Sequence, residues 1–196
     1  MLDDAVPGSA RTVSLIRIDP VAETDDLVQF MTSSTFPFHG TAAPTPADVR
    51  QALAEGRYQS PELDSFWVVD GCAARVGFLR LEDVQDETPM FDLRIAQQHR
   101  GRGLGAAALR AATRQVFETL PQAIRFEGTT RVDNLAMRRT FLACGWVKEA
   151  HYRRAWPVGD GRHVDAVAYA VLREDWVSGT RTPVTWEDPP EVPTHR

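Results

Sequence analysis

The sequence predicts a mixed α/β fold, with a twisted, mostly antiparallel sheet of about seven strands and helices on both faces. Three observations predict it. Runs that alternate apolar and polar residues recur along the chain, as half-buried strands do. Their order with the helical segments is β-α-α-β-β-β-α-β-α-β-β, a run of antiparallel strands followed by a strand–helix–strand unit. One glycine-rich turn, Gln98-His99-Arg100-Gly101-Arg102-Gly103-Leu104-Gly105, joins an apolar run to an alanine-rich helix.

Residues 12–18 (TVSLIRI) alternate and read as the first strand. Thr24 then leads an acidic turn, Asp25-Asp26, into Leu27, Val28, Phe30 and Met31, a helix pattern. Residues 32–44 form a loop that carries the cluster Phe36-Pro37-Phe38-His39. Thr45 is a natural N-cap, with Pro46 at the first helical position and Asp48 at the third, so a helix runs to about Glu55. Strands follow at Ser65–Asp70, Arg75–Leu81 and Met90–Ala96. Asp70-Gly71 marks the first hairpin, and an acidic loop from Glu82 to Pro89 the second. After the glycine turn, Leu109, Ala112, Val116 and Leu120 share one helical face, and Pro121 ends that helix. Residues 123–130 alternate again. Asp133 is expected to cap a helix over 134–143, closed by Gly145. The last strands are Trp146–Arg153 and Val164–Leu172, joined through Pro157 to Gly161. One domain over residues 1–177 is expected, then an irregular tail over 178–196 with Pro183, Pro189, Pro190 and Pro193.

At 196 residues the chain is long enough to bury a substantial core. Its net charge of −5 disfavours nucleic acid as a partner and weakly suits a cationic substrate. No apolar run approaches the roughly 18 residues of a membrane span. The opening MLDDAVPGSAR is acidic and does not read as a signal peptide. Cys72 and Cys144 are too few for a disulfide framework and lack zinc-site spacing. They read as buried thiols in a reducing cytoplasm, and no metal is expected.

Glycine opens backbone angles closed to other residues. A strand, such a turn and a helix N-terminus together make an anion site, because free N–H groups and the positive end of the helix dipole face the ligand. A Rossmann fingerprint needs G-x-G-x-x-G early in a βαβ unit, whereas this chain has G-x-G-x-G after several antiparallel strands. A Walker A loop needs Gly-Lys-Ser/Thr, which is missing here. The third identity fits. Gln98-His99-Arg100-Gly101-Arg102-Gly103 matches Gln/Arg-x-x-Gly-x-Gly/Ala and resembles the pyrophosphate loop of the GNAT superfamily of acetyl-CoA-dependent N-acyltransferases. The bland alternative is a glycine turn that binds nothing. Asn134, Phe141 seven residues on and Gly145-Trp146, preceded by Thr129-Thr130-Arg131-Val132-Asp133, resemble the later motif of that family. Glu149, Tyr152-Arg153, Asp165 and Leu172-Arg173-Glu174-Asp175-Trp176 resemble its ribosomal-protein alanine (Rim-type) branch. The resemblance spans residues 12–176.

That resemblance implies a GNAT-like fold with acetyl-CoA as cosubstrate. Backbone groups of Leu93, Ile95 and Ala96 would meet the pantetheine, and N–H groups from Arg100 through Gly101, Arg102, Gly103, Leu104 and Gly105 to Ala106 would hold the pyrophosphate. Arg100 and Arg102 would add charge. Asn134 would bond the pantetheine arm, its plain alternative being a helix cap. Phe141 stands where the family often has a tyrosine as general acid. The reaction is attack of a neutral amine on the thioester, which a base assists. Asp92 is the first candidate because an acid inside an apolar strand needs a reason. Glu82, or Asp83 beside it, and His39 follow, each with the alternative of a solvated acid or a packing histidine. Tyr152, Arg131 and Trp156 are further pocket candidates. The expected function is a cytoplasmic N-acetyltransferase acting directly on a primary amine, of a protein N-terminus or a small molecule. The competing readings are an acyl-CoA-binding sensor without catalysis and a partner-binding module using Trp186, Pro189 and Pro190. A homodimer is left open.

Overall fold

The computed structural model describes residues 12–186. The opening stretch read as lacking a leader, and the tail prolines from Pro189 on, lie outside the described residues. In chain order the elements are β1 (Val13–Arg17), α1 (Thr24–Thr32), α2 (Pro46–Ala54), β2 (Leu63–Asp70), β3 (Arg75–Glu82), β4 (Met90–Ile95), α3 (Leu104–Thr119), β5 (Arg125–Arg131), α4 (Leu135–Ala143), β6 (Val147–Pro157), β7 (His163–Leu172) and α5 (Arg173–Ser178).

The strands form two antiparallel sheets, β1-β2-β3-β4 and β5-β7-β6. Alternation along β2 sends Phe66 and Val68 to one face and Trp67 and Val69 to the other. On the first face α3 buries Leu104, Ala108, Leu109, Ala112 and Val116 against β2 and β3, together with Phe126, Phe141 and Trp146. On the second, Leu27, Val28, Phe30, Met31 and Val49 of α1 and α2 cover Trp67 and Phe78. The fold is therefore helix–sheet–helix, as expected.

The two sheets touch at one end and part at the other. Ile124 N–H donates to Glu87 O at 2.9 Å and Glu127 N–H to Pro89 O at 3.1 Å. Beyond those bonds, among the described residues, no backbone bond links β4 to β5. Aromatic rings fill the base of the split. A Cβ on Gly128 would lie 2.6 Å from Phe91 and 2.7 Å from Phe141. Only glycine lets β5 come this close.

Local chemistry sets the element ends, with four corrections. The box at Thr45 forms as read, since Thr45 Oγ1 accepts from Asp48 N–H at 3.2 Å and Asp48 accepts from Thr45 N–H at 2.8 Å. The cap of α4 is Asn134 rather than Asp133, because Asn134 Oδ1 accepts from Met137 N–H at 3.2 Å while Asp133 pairs with Arg131 at 2.6 Å. Helix α5 was not expected. Its Arg173 donates to the carbonyls of Phe117, Leu120 and Ala123 at 2.6–2.7 Å, satisfying the C-terminal end of α3. The start of the tail is tied down, since the Asp175 carboxylate accepts from Thr182 N–H at 2.9 Å. Cys72 is exposed in the hairpin turn rather than buried, and Cys144 is half-buried. Among the described residues no helix is long and apolar enough to cross a membrane.

Candidate active site

The glycine turn folds as a short 3-10 turn, Gln97–His99, followed by Gly101 at φ 73° and Gly103 at φ 77°. Both angles lie in the left-handed region that side chains disfavour. The first helical bond of α3 runs from Ala107 N–H to Gly103 O at 3.2 Å. Among the described residues, the N–H groups of Gly101, Arg102, Gly103, Leu104, Gly105 and Ala106 have no acceptor. Buried Leu104 anchors the row to the core. A run of free amides at the positive end of a 16-residue helix suits a phosphate.

Arg100 is not part of that row. Its N–H bonds Gln97 O at 3.3 Å, and its guanidinium donates to Ile95 O at 2.9 Å and Thr35 O at 2.6 Å. It ties the end of β4 to the loop after α1 rather than facing an anion. Arg102 is exposed. Ala96 also departs from expectation, since its N–H bonds Val76 O at 3.0 Å and the residue is 2% exposed. Antiparallel alternation then turns the main-chain groups of Leu93 and Ile95 away from β3, onto the open edge of the split. The Ile95 carbonyl is the one that Arg100 engages.

From this edge opens a cavity of about 650 Å³ lined by His39, Glu82, Asp92, Leu93, Asn134, Phe141 and Trp156, among others. It gathers His39, Glu82 and Asp92. Asp83 sits in a turn at φ 55° and does not line it. Tyr152 is 47% exposed on β6 and is also outside. Arg131 is engaged with Asp133 and with Pro37 O at 3.1 Å, bracing the 36–39 loop against β5.

Register explains the charged floor. Arg80 lies opposite Asp92, so Arg80 and Glu82 share a face with Asp92 and Arg94. Arg80 holds Glu82 at 2.5 Å, and Arg94 holds Asp92 at 2.8 Å. His39 Nε2 is 3.1 Å from Asp92, and the Asp92 side chain is 12% exposed. Burial works to raise its pKa, yet the His39 hydrogen bond and the Arg94 charge hold it well below the usual carboxylate range. A carboxylate held so low is a poor proton acceptor. Asp92 is therefore built to orient rather than to take a proton. Because Asp92 only accepts, His39 Nε2 carries hydrogen. His39 Nδ1 is buried and has no partner among the described residues.

Phe141 is 1% exposed and stacks on Tyr169 at 4.7 Å and 9°, so its place is filled by packing. Asn134 Nδ2 donates to Thr130 Oγ1 at 2.9 Å, which fixes its amide while it caps α4. Sequence reasoning missed Arg80 and Arg94, and it quoted Thr130 within a motif without a role. The signal for the two arginines was the i, i+2 pairing of opposite charges on successive strands.

Among solved structures, this chain is similar to a spermidine N-acetyltransferase SpeG chimera of Vibrio cholerae and hSSAT, at 15% identity and TM-score 0.72, covering 85% of this chain and 98% of that one. It is similar to the V. cholerae spermidine/spermine N-acetyltransferase SpeG in complex with manganese, at 16% identity and TM-score 0.68, covering 87% and 98%. A GNAT-family acetyltransferase from Bacillus anthracis matches at 17% identity and TM-score 0.69, covering 85% and 98%. These likenesses show a shared fold. No curated protein matches the sequence. No group of three or more His, Cys, Asp or Glu side chains could hold a metal ion among the described residues. An acetyltransferase (GNAT) domain model matches residues 16–147, about two thirds of the chain, including β4 and β5 on either side of the split. The chain therefore belongs to the GNAT acetyltransferase family.

Proposed function

We propose that this protein transfers the acetyl group of acetyl-CoA directly to a primary amine. The observation that carries the proposal is a row of unpartnered amides, 101–106, beyond the end of an open β4 edge that itself lines the cavity holding His39 and Asp92. On this reading the amides from Gly101 to Ala106 hold the pyrophosphate and Arg102 adds charge. Leu93 and Ile95 pair with the pantetheine amides as an added strand would. Asn134 meets the same arm while it caps α4.

The amine attacks in its neutral form. An α-amine of pKa near 8 is about a tenth neutral at pH 7, and a lysine-like amine far less. On this reading His39 takes the proton once its imidazole turns the buried Nδ1 toward the cavity, and Asp92 steadies the resulting imidazolium. The new N–C bond forms, the C–S bond breaks, and the proton passes on to the CoA thiolate. Phe141 donates none. A thiol of pKa about 8.5 leaves acceptably without one.

Titration calorimetry with acetyl-CoA and an assay of CoA release across an amine panel test this together. Binding with turnover is expected, and His39→Ala should keep the affinity while losing about 10²–10⁴-fold in kcat/KM. No binding at millimolar acetyl-CoA would sink the proposal. Phe141 favours a second reading, an acyl-CoA-binding sensor, which binding without CoA release would select. The acceptor is a protein N-terminus on the Rim-type resemblance, or a small amine. Free Cys72 and Cys144 suit a reducing cytoplasm.

A further inference from the structure

We infer that the acceptor is a monocationic amine on an uncharged, largely apolar body, and that the cavity discriminates against polyamines. The inference rests on the acetyltransferase reading above. Binding a second or third ammonium group requires carboxylates that are not already neutralised. The cavity has four acids, and three of them are neutralised by arginines, which leaves one carboxylate charge for one ammonium group. Glu55 pairs with Arg57 at 2.6 Å, Glu82 with Arg80 at 2.5 Å and Asp92 with Arg94 at 2.8 Å. Asp48 is bound into the α2 cap by Thr45 N–H at 2.8 Å. A polyamine would give up the hydration of its extra charges and meet three guanidinium groups instead.

The remaining lining sets apolar Val49, Met90, Phe91 and Leu93 beside uncharged polar groups such as Thr130 and Asn134, and one wall of it is built at some cost. Between Tyr152 and Trp156 the β6 register shifts against β7, and Arg154 takes φ 52°. The Asp165 carboxylate holds this bulge by accepting from Arg154 N–H at 2.8 Å and pairing with His151 at 2.7 Å. The bulge re-aims the strand, and Trp156 beyond it lines the cavity. An indole there suits an apolar or aromatic acceptor body. Four acids against three arginines leave the cavity one net negative charge, enough for a single ammonium group and not for a polyamine.

The test compares 2-phenylethylamine, an alanyl tripeptide amide and spermidine, both in turnover and in calorimetric binding to the CoA-loaded protein. Either monoamine should exceed spermidine by about tenfold or more. Arg80→Gln frees the Glu82 carboxylate and should shift the ratio toward spermidine at least about fivefold. Trp156→Ala should raise KM for 2-phenylethylamine and leave KM for acetyl-CoA unchanged. Spermidine as the preferred ligand of the wild type, or a ratio unmoved in Arg80→Gln, overturns the inference. The binding arm keeps the two readings apart. Selective monoamine binding without turnover refutes catalysis while supporting the inference, and failure of acetyl-CoA to bind removes both.

Discussion

Asp92 shows how far a residue's chemistry depends on its neighbours. Its own strand placed it as an acid without explanation. The explanation is Arg94, two residues on along the same strand, and His39, from the loop before α2. Its pKa is depressed on folding, from about 3.9 in the unfolded chain. A group depressed in this way contributes stability that is present above the unfolded pKa and lost as pH falls through the folded one. Asp92→Asn should therefore cost about 3 kcal/mol between roughly pH 5 and 8, since it leaves Arg94 and His39 facing a neutral partner. The gap should start to narrow as pH falls below about 4 and close only in strong acid, once the folded wild-type carboxyl also loses its charge. Urea unfolding across this range measures it, and a gap that widens in acid would contradict the assignment. The glycine loop was legible because backbone freedom is written in residue type. The partners of Arg100 and Asn134 were not, because they depend on which strands and turns meet.

Among the elements, those with local signals could be read directly. Thr45-Pro46-Ala47-Asp48 specifies a helix start by its own hydrogen bonds, and α2 begins at Pro46. Helix α5 spans only Arg173–Ser178, too short to show a period, and its ties run through Arg173 to the end of α3. The split between β4 and β5 is likewise invisible in either strand alone. It depends on Gly128 meeting Phe91 and Phe141. Gly128→Ala should destabilise by about 1–3 kcal/mol through overpacking. Gly71→Ala, where a Cβ meets nothing within 4 Å, should stay within about 0.5 kcal/mol of wild type. Equal effects in chemical denaturation would show that this contact does not matter.

On the scale of the whole molecule, two sheets are bonded at one end and part at the other, with aromatic rings packed against Gly128 at the base of the split. A ligand that pairs with the β4 edge and rests on the α3 amides spans the parted end. It binds the folded chain and has nothing comparable in the unfolded one. Saturation at about 100 times Kd should then add about 2.7 kcal/mol of stability. For a chain of this size that corresponds to a rise in Tm of about 5–11 °C. CoA should act nearly as well as acetyl-CoA, because the pyrophosphate and pantetheine are common to both. Gly103→Asp sets a charged side chain at φ 77°, among the amides that face the phosphate. It should abolish the shift while leaving the unliganded Tm within a few degrees, since a Cβ there meets nothing within 4 Å and only local strain is added. If instead the variant keeps the full shift with CoA, the ligand does not rest on this helix end. The link from the glycine turn to His39 would then have to be abandoned.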